Sequence, residues 1–226
     1  MSRRSAIALL ILAPLLGRGE AVSAGEGEAP SYFPLQVGNW WAYEERDADG
    51  HALSRETWTV LAGAAEDRTG EFHLRSSTKR LDALGRTGGH RWEGDEYLRG
   101  TDAGVRKRYP AGRRAELEVL LLKEPLTSGT RWHDAQGDCE VTSRDSCAGP
   151  QGQLPECAIV VCRLGTPTTT VVSSTYARGI GMVRQEIDVV QFLPSLHGSG
   201  SVLLPCDSAQ SGHSILELTT FHVAPR

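Results

Sequence analysis

The chain has 226 residues, 24 of them Lys or Arg and 28 Asp or Glu, for a formal net charge of −4. That balance lacks the positive field from which counterion release draws its energy, so nucleic acid is excluded as an expected partner. The length suits one domain able to bury a substantial core.

The first element in chain order is an export signal. Arg3 and Arg4 precede an apolar stretch over residues 6–16, and small residues follow at Ala21, Val22, Ser23 and Ala24. A charged start, a short apolar run and an Ala-x-Ala-like end suit a secretory signal peptide, whereas a membrane span needs about 20 apolar residues. Residues 1–24 are therefore read as a signal peptide cleaved after Ala24, with a periplasmic or secreted destination and no transmembrane span after its removal. No cysteine stands near that site to carry a lipid anchor. Residues 25–31 are polar and Gly/Glu-rich, and read as a flexible leader.

From Tyr32 onward, short alternating or apolar runs are punctuated by Gly, Asp and Pro, with no sustained helical period. Strands are expected near 39–46, 52–61, 71–77, 90–99, 104–109, 116–123, 138–145, 156–164, 168–177, 181–192 and 213–223. Turn chemistry separates several of them, as in Asp47-Ala48-Asp49-Gly50 and Thr101-Asp102-Ala103-Gly104, where Gly supplies positive φ and Asp bonds its own backbone. Hairpins at this spacing predict an all-β antiparallel meander, a single domain over residues 32–226.

Two passages share Pro-Leu-x-x-Gly-x-x-Trp, from Pro34 to Trp41 and from Pro125 to Trp132. Each is followed later by Tyr-x-Arg-Gly and a Gly-Val-Arg-like piece, Tyr97 to Arg106 and Tyr176 to Arg184. They suggest two similar halves, about 33–109 and 124–190. In each, the Trp should cap the core where the next strand begins.

The run from Tyr32 to Glu44, the second Pro-Leu-x-x-Gly-x-x-Trp and the segment Tyr176 to Val183 resemble a broad group of uncharacterised exported bacterial proteins and lipoproteins. The resemblance implies a curved antiparallel sheet or open half-barrel, and it carries over no catalytic residue.

Five cysteines, Cys139, Cys147, Cys157, Cys162 and Cys206, follow the signal, in a compartment where disulfides persist. A hairpin around Pro150 would nest Cys139 with Cys162 and Cys147 with Cys157, because both pairs have nearly the same index sum, and Cys206 would be left over. Cys157 and Cys162 fall on opposite faces of a regular strand, so the inner pair needs an irregular loop end. Cys-x4-Cys without a nearby His lacks zinc spacing.

Glu45, Asp47, Asp49, Gly50 and Glu56 reproduce the spacing of a calcium loop, but the flanks read as strands and an acidic hairpin turn explains the same residues. The histidines at 51, 73, 90, 133, 197, 213 and 222 form no ligand motif, and the Ser-rich pieces lack a nucleophile elbow. Arg106-Lys107-Arg108 with Arg113-Arg114 reads as a solvated basic hairpin end. Trp40, Trp41, Trp58, Trp92 and Trp132 read as core, with a ligand cleft as the alternative.

Taken together, these features predict an exported non-catalytic β domain that binds an apolar or amphipathic ligand, a lipid or an envelope protein, through its concave face. The alternatives are a structural module with a filled interior and a secreted hydrolase. No cofactor, metal or catalytic residue is assigned, and the oligomeric state is open.

Overall fold

Alternation of inward apolar and outward polar side chains produces strands throughout the computed structural model, which describes residues 31–62, 70–82, 87–109, 117–134, 137–165, 169–190 and 212–224. Residues 1–30, which hold the expected signal peptide and most of the expected leader, lie outside the described residues, as do Cys206, Arg113 and Arg114. The strands are β1 (Trp40–Asp47), β2 (Ala52–Leu61), β3 (Glu71–Leu81), β4 (Thr87–Thr101), β5 (Gly104–Tyr109) and β6 (Leu117–Lys123). The second half supplies β7 (Arg131–His133), β8 (Gly137–Gly149), β9 (Gly152–Leu164), β10 (Thr169–Ala177), β11 (Gly181–Val190) and β12 (His213–His222). Strand β7 is the addition to the sequence-based reading, since three residues are too few to display alternation.

The 12 strands of the described residues form one antiparallel sheet in the order β6-β5-β4-β3-β2-β1-β12-β11-β10-β9-β8-β7. Consecutive strands therefore pair except β6 with β7, β12 returns to pair with β1, and β6 and β7 remain as the edges among the described residues. These edges face each other, so the sheet is nearly closed into a barrel. Across the seam Trp132 Nε1 donates to Leu120 O at 3.0 Å, the Leu120 N–H donates to Asp134 Oδ2 at 3.0 Å, and Lys123 Nζ donates to Arg131 O at 3.1 Å. Side chains thus take the place of a backbone ladder and satisfy an edge that would otherwise recruit other strands.

One end of the barrel is floored by the segment before β1. Tyr32 and Phe33 are buried, and Phe33 packs on Trp41 at 5.7 Å between ring centroids. Glu124 Oε1 accepts hydrogen bonds from Ser31 Oγ and the Tyr32 N–H, and Ser31 O accepts from the Gly179 N–H. Ser31 accordingly belongs to the folded floor and not to a flexible leader. The sole asparagine, Asn39, is fully buried and ties the floor to the chain's far end: Nδ2 donates to Pro34 O, and Oδ1 accepts from the Ala224 N–H.

The repeated Pro-Leu-x-x-Gly-x-x-Trp passages adopt the same turn. Asn39 N bonds Gln36 O and Thr130 N bonds Thr127 O; Gly38 N bonds Val60 O and Gly129 N bonds Val141 O; Val60 N returns to Asn39 O and Val141 N to Thr130 O. Gly38 and Gly129 sit at φ of 92° and 83°, where a side chain is strained. Trp41 and Trp132 then enter the core, each with its indole N–H on a backbone carbonyl, Ile180 O and Leu120 O.

Candidate functional site

Strand register divides the barrel interior into two regions. Toward the floor it is apolar, with Trp41, Val60, Leu98, Val105, Leu122 and Leu126 all buried. Toward the opposite end the inward positions become polar. Tyr43 opposes Glu56, Glu45 opposes Ser54, and Gln185 opposes Ser174. Ser54 Oγ donates to Glu45 Oε2 at 2.8 Å, Gln185 Nε2 donates to Ser174 Oγ at 3.1 Å, and Lys107 Nζ pairs with Glu96.

A cavity of about 210 Å³ opens in this region, directly behind the seam. Its apolar wall is Leu120, Leu121, Val160, Leu164 and Val172, with the Cys139–Cys162 disulfide beside them. Lys107, Asp134, Ser174 and Gln185 supply the polar groups, and Tyr109 and Tyr176 present both kinds of surface. Two of the three large exposed hydrophobic side chains among the described residues, Trp92 at 51% and Leu117 at 38%, are inward-side residues at this same end of the barrel.

The electrostatics reflect a dry interior. Burial pushes the Tyr176 phenol up to about 12, and burial, reinforced by Tyr176 and Glu56, raises Tyr43 well above its ordinary value. Burial pulls the Lys107 ammonium down, but the Glu96 carboxylate outweighs it and holds the pKa above the ordinary value. Burial also raises Glu56, against hydrogen bonds from Trp58 and Thr78, and the carboxylates of Glu96 and Glu45 add to the rise. A raised folded-state pKa contributes stability below the ordinary carboxylate range that is lost as pH rises through the folded value. Glu56→Gln should therefore gain stability relative to the wild type over the interval from the ordinary carboxylate range up through the raised folded value, read as a difference in melting temperature. An unchanged difference across that interval would show that Glu56 titrates as an ordinary surface carboxylate.

The cysteine hairpin is β8–β9. Cys139 stands opposite Cys162, and the two are bonded with Cα atoms 4.1 Å apart. Cys147 opposes Leu154 and is bonded to Cys157, Cα to Cα 5.8 Å, across a register shift and a positive φ at Glu156. Two disulfides belong in an oxidising, extracytoplasmic compartment.

The acidic 45–56 segment is a hairpin turn. Asp47 Oδ1 accepts from the Asp49 and His51 amides at 3.0 and 2.8 Å, and the His51 amide above all holds the Asp47 carboxyl below its ordinary range. Asp47, Asp49 and His51 cluster there, whereas Glu45 and Glu56 point into the barrel. Four histidines contact aspartates: His51–Asp47, His73–Asp95, His133–Asp138 and His213–Asp188, at 3.2, 2.8, 2.8 and 2.6 Å. All four lie at a turn or on outward strand positions, away from the cavity.

The basic hairpin reading is corrected. Arg106, Lys107 and Arg108 occupy a strand, so they alternate between faces. Lys107 enters the barrel, and Arg108 makes a bidentate bond to Glu71 at 2.7 and 2.6 Å on the outside. Among the tryptophans, Trp41 and Trp132 are core and Trp92 is half exposed. Sequence reasoning missed the residues that line the cavity, because Val160, Val172 and Gln185 come from different strands; their inward alternation was the available signal, whereas Leu120 stands at a register shift opposite the outward Arg106.

No family model matches the chain, and no curated protein matches it. Two solved structures are similar at low identity. One, from Parabacteroides distasonis, is provisionally named a lipoprotein; it is 14% identical, with 87% of this chain and 100% of that one covered, at a TM-score of 0.48. The other, from Bacteroides fragilis, is provisionally named an exported protein with YmcC-like fold; it is 14% identical, with 85% and 99% covered, at a TM-score of 0.46. The architecture assigned above rests on the chain's own strand pairing.

Among the described residues no helix is long and apolar enough to cross a membrane. The barrel's outer positions carry charges and hydroxyls, such as Glu44, Arg55, Thr57, Arg184 and Glu217, the reverse of the apolar band on a transmembrane barrel.

Proposed function

We propose that this chain is an exported, non-catalytic β-barrel that takes the apolar part of an amphipathic molecule into the cavity behind the β6–β7 seam. The carrying observation is the cavity itself, with an aliphatic wall on one side and a convergent set of polar groups on the other. Its volume of about 210 Å³ lies below the usual range for a whole drug-sized ligand, which suits one alkyl chain held by its tail. Lys107 and Asp134 are the charged groups of the lining, available to a polar head group. Export is supported by the two disulfides and by the signal-like residues 1–24, and the secreted protein is expected to begin at Gly25 by intact mass.

The test is titration of delipidated, refolded protein with a fluorescent fatty acid, alongside Val172→Trp, which fills the cavity from β10. Wild type should bind at one saturable site, and the variant should lose roughly tenfold or more in affinity while keeping its melting temperature within a few degrees. A wild type that takes up no probe would favour a structural module instead. Equal binding by the variant would place the ligand elsewhere.

A further inference from the structure

We propose that the outer face of β2–β4 binds a polyvalent oxyanion of the phosphate or sulfate class along a row of three cations, Arg55, Lys79 and Arg91. The register sets Arg55 opposite Lys79 and Lys79 opposite Arg91. Three positive side chains therefore stand in line across strands about 4.8 Å apart. Like charges directly opposed in a sheet are destabilising. Elsewhere on the same face opposed cations are flanked by bonded carboxylates, as where Arg99, set between Glu71 and Arg106, bonds Glu118 at 2.8 Å.

The counter-charges next to the row do not neutralise it. Glu44 is shared between Arg46 and Arg55, which lies 3.2 Å from it. Glu93 holds Arg91 at 3.0 Å, and Lys79 has no ion pair among the described residues. Arg55 and Arg91 keep 61% and 58% of their side chains exposed, so their guanidinium groups can turn toward a ligand. They border a groove of about 480 Å³ that also receives Arg75 and the hydroxyls of Thr57 and Ser77. Arg91 Nε donates to Ser77 Oγ at 2.9 Å, which aligns the guanidinium along the groove. Guanidinium forks match oxyanions bidentately, and an ammonium between them adds a point charge. Because the chain as a whole is negative, attraction at this row is a local property and not a consequence of net charge.

The same chemistry is offered by an anionic lipid head group and by a soluble polyphosphate, so the experiment has an arm for each. Calorimetric titration with sodium tripolyphosphate at about 50 mM salt should show binding that weakens roughly tenfold or more at about 200 mM salt and in Arg55→Gln/Lys79→Gln/Arg91→Gln. Flotation with phosphatidylcholine vesicles, with and without phosphatidylglycerol, identifies the source. Capture by the anionic vesicles that tripolyphosphate competes away assigns the site to a lipid surface; tripolyphosphate binding without capture assigns it to a soluble anion. Both outcomes support the row as the site. Failure of both probes to bind wild type, or equal binding by the triple variant, overturns it. Lys79→Glu separates function from architecture: it should weaken anion binding while leaving the melting temperature equal or higher, since it relieves the opposed charges. A lower melting temperature would make the lysine a structural residue and overturn the proposal.

Discussion

Trp41→Ala should cost about 3 to 5 kcal/mol of stability, the range for emptying a large buried aromatic site. Trp41 is 1% exposed and closes the apolar end of the barrel, with Phe33 below it and Gly181 against its ring. Gly181 has φ of 114°, and a Cβ there would stand 3.1 Å from Trp41 Nε1, so the backbone is already drawn up to the indole and cannot easily collapse into the space it leaves. For a domain of this size each kcal/mol moves the melting temperature by about 2 to 4 °C, so the loss should approach 10 °C or more. Urea unfolding should report the same loss with little change in slope. Trp41→Phe keeps most of the ring but leaves Ile180 O without its donor, and should cost less, about 1 to 3 kcal/mol. A cost below about 1 kcal/mol for the alanine variant would mean that the floor segment is not part of the cooperative core.

Arg108→Ala should be comparably damaging, at about 3 to 5 kcal/mol, although the residue lies on the outer face. The Glu71 side chain is 4% exposed and Arg108 14%, so the pair is desolvated despite its position. Tyr97 covers it, with the guanidinium 4.4 Å above the ring centroid. Removing the guanidinium takes the bidentate partner from a carboxylate that is nearly out of reach of water. Replacing both partners, Glu71→Leu with Arg108→Met, should restore most of the stability, because the penalty comes from the unmatched charge more than from loss of the pair. Chemical denaturation of the two single variants and the double variant gives the coupling directly. Additive losses in that cycle would rule out a coupled buried pair.

These two expectations stand on different footing in the sequence. Trp41 could be picked out because it closes a passage that recurs around Trp132, and one turn with one indole-to-carbonyl bond explains both occurrences. The importance of Arg108 could not. Read in line, Arg106-Lys107-Arg108 is one basic cluster; folded, the strand period of two sends Lys107 to Glu96 inside and Arg108 to Glu71 outside. The cation row shows the converse, since Arg55, Lys79 and Arg91 are separated by 24 and 12 positions and meet only through pairing.

The sequence by itself determined the class of the fold and its punctuation: alternation dictates strands, Gly and Asp dictate turns, and short connections oblige consecutive strands to pair. Those are local constraints, written within a few residues of where they act. Closure, the seam and the cavity were decided only by the tertiary structure. Whether a meander stays open or rolls until β6 faces β7 depends on twist accumulated over all 12 strands and on the return of β12 to β1. The seam's bonds, from Trp132 and Asp134 to Leu120, form only after that closure. The cavity is bounded by residues of strands on both sides of the seam, so no single segment of the chain contains its shape or its charge.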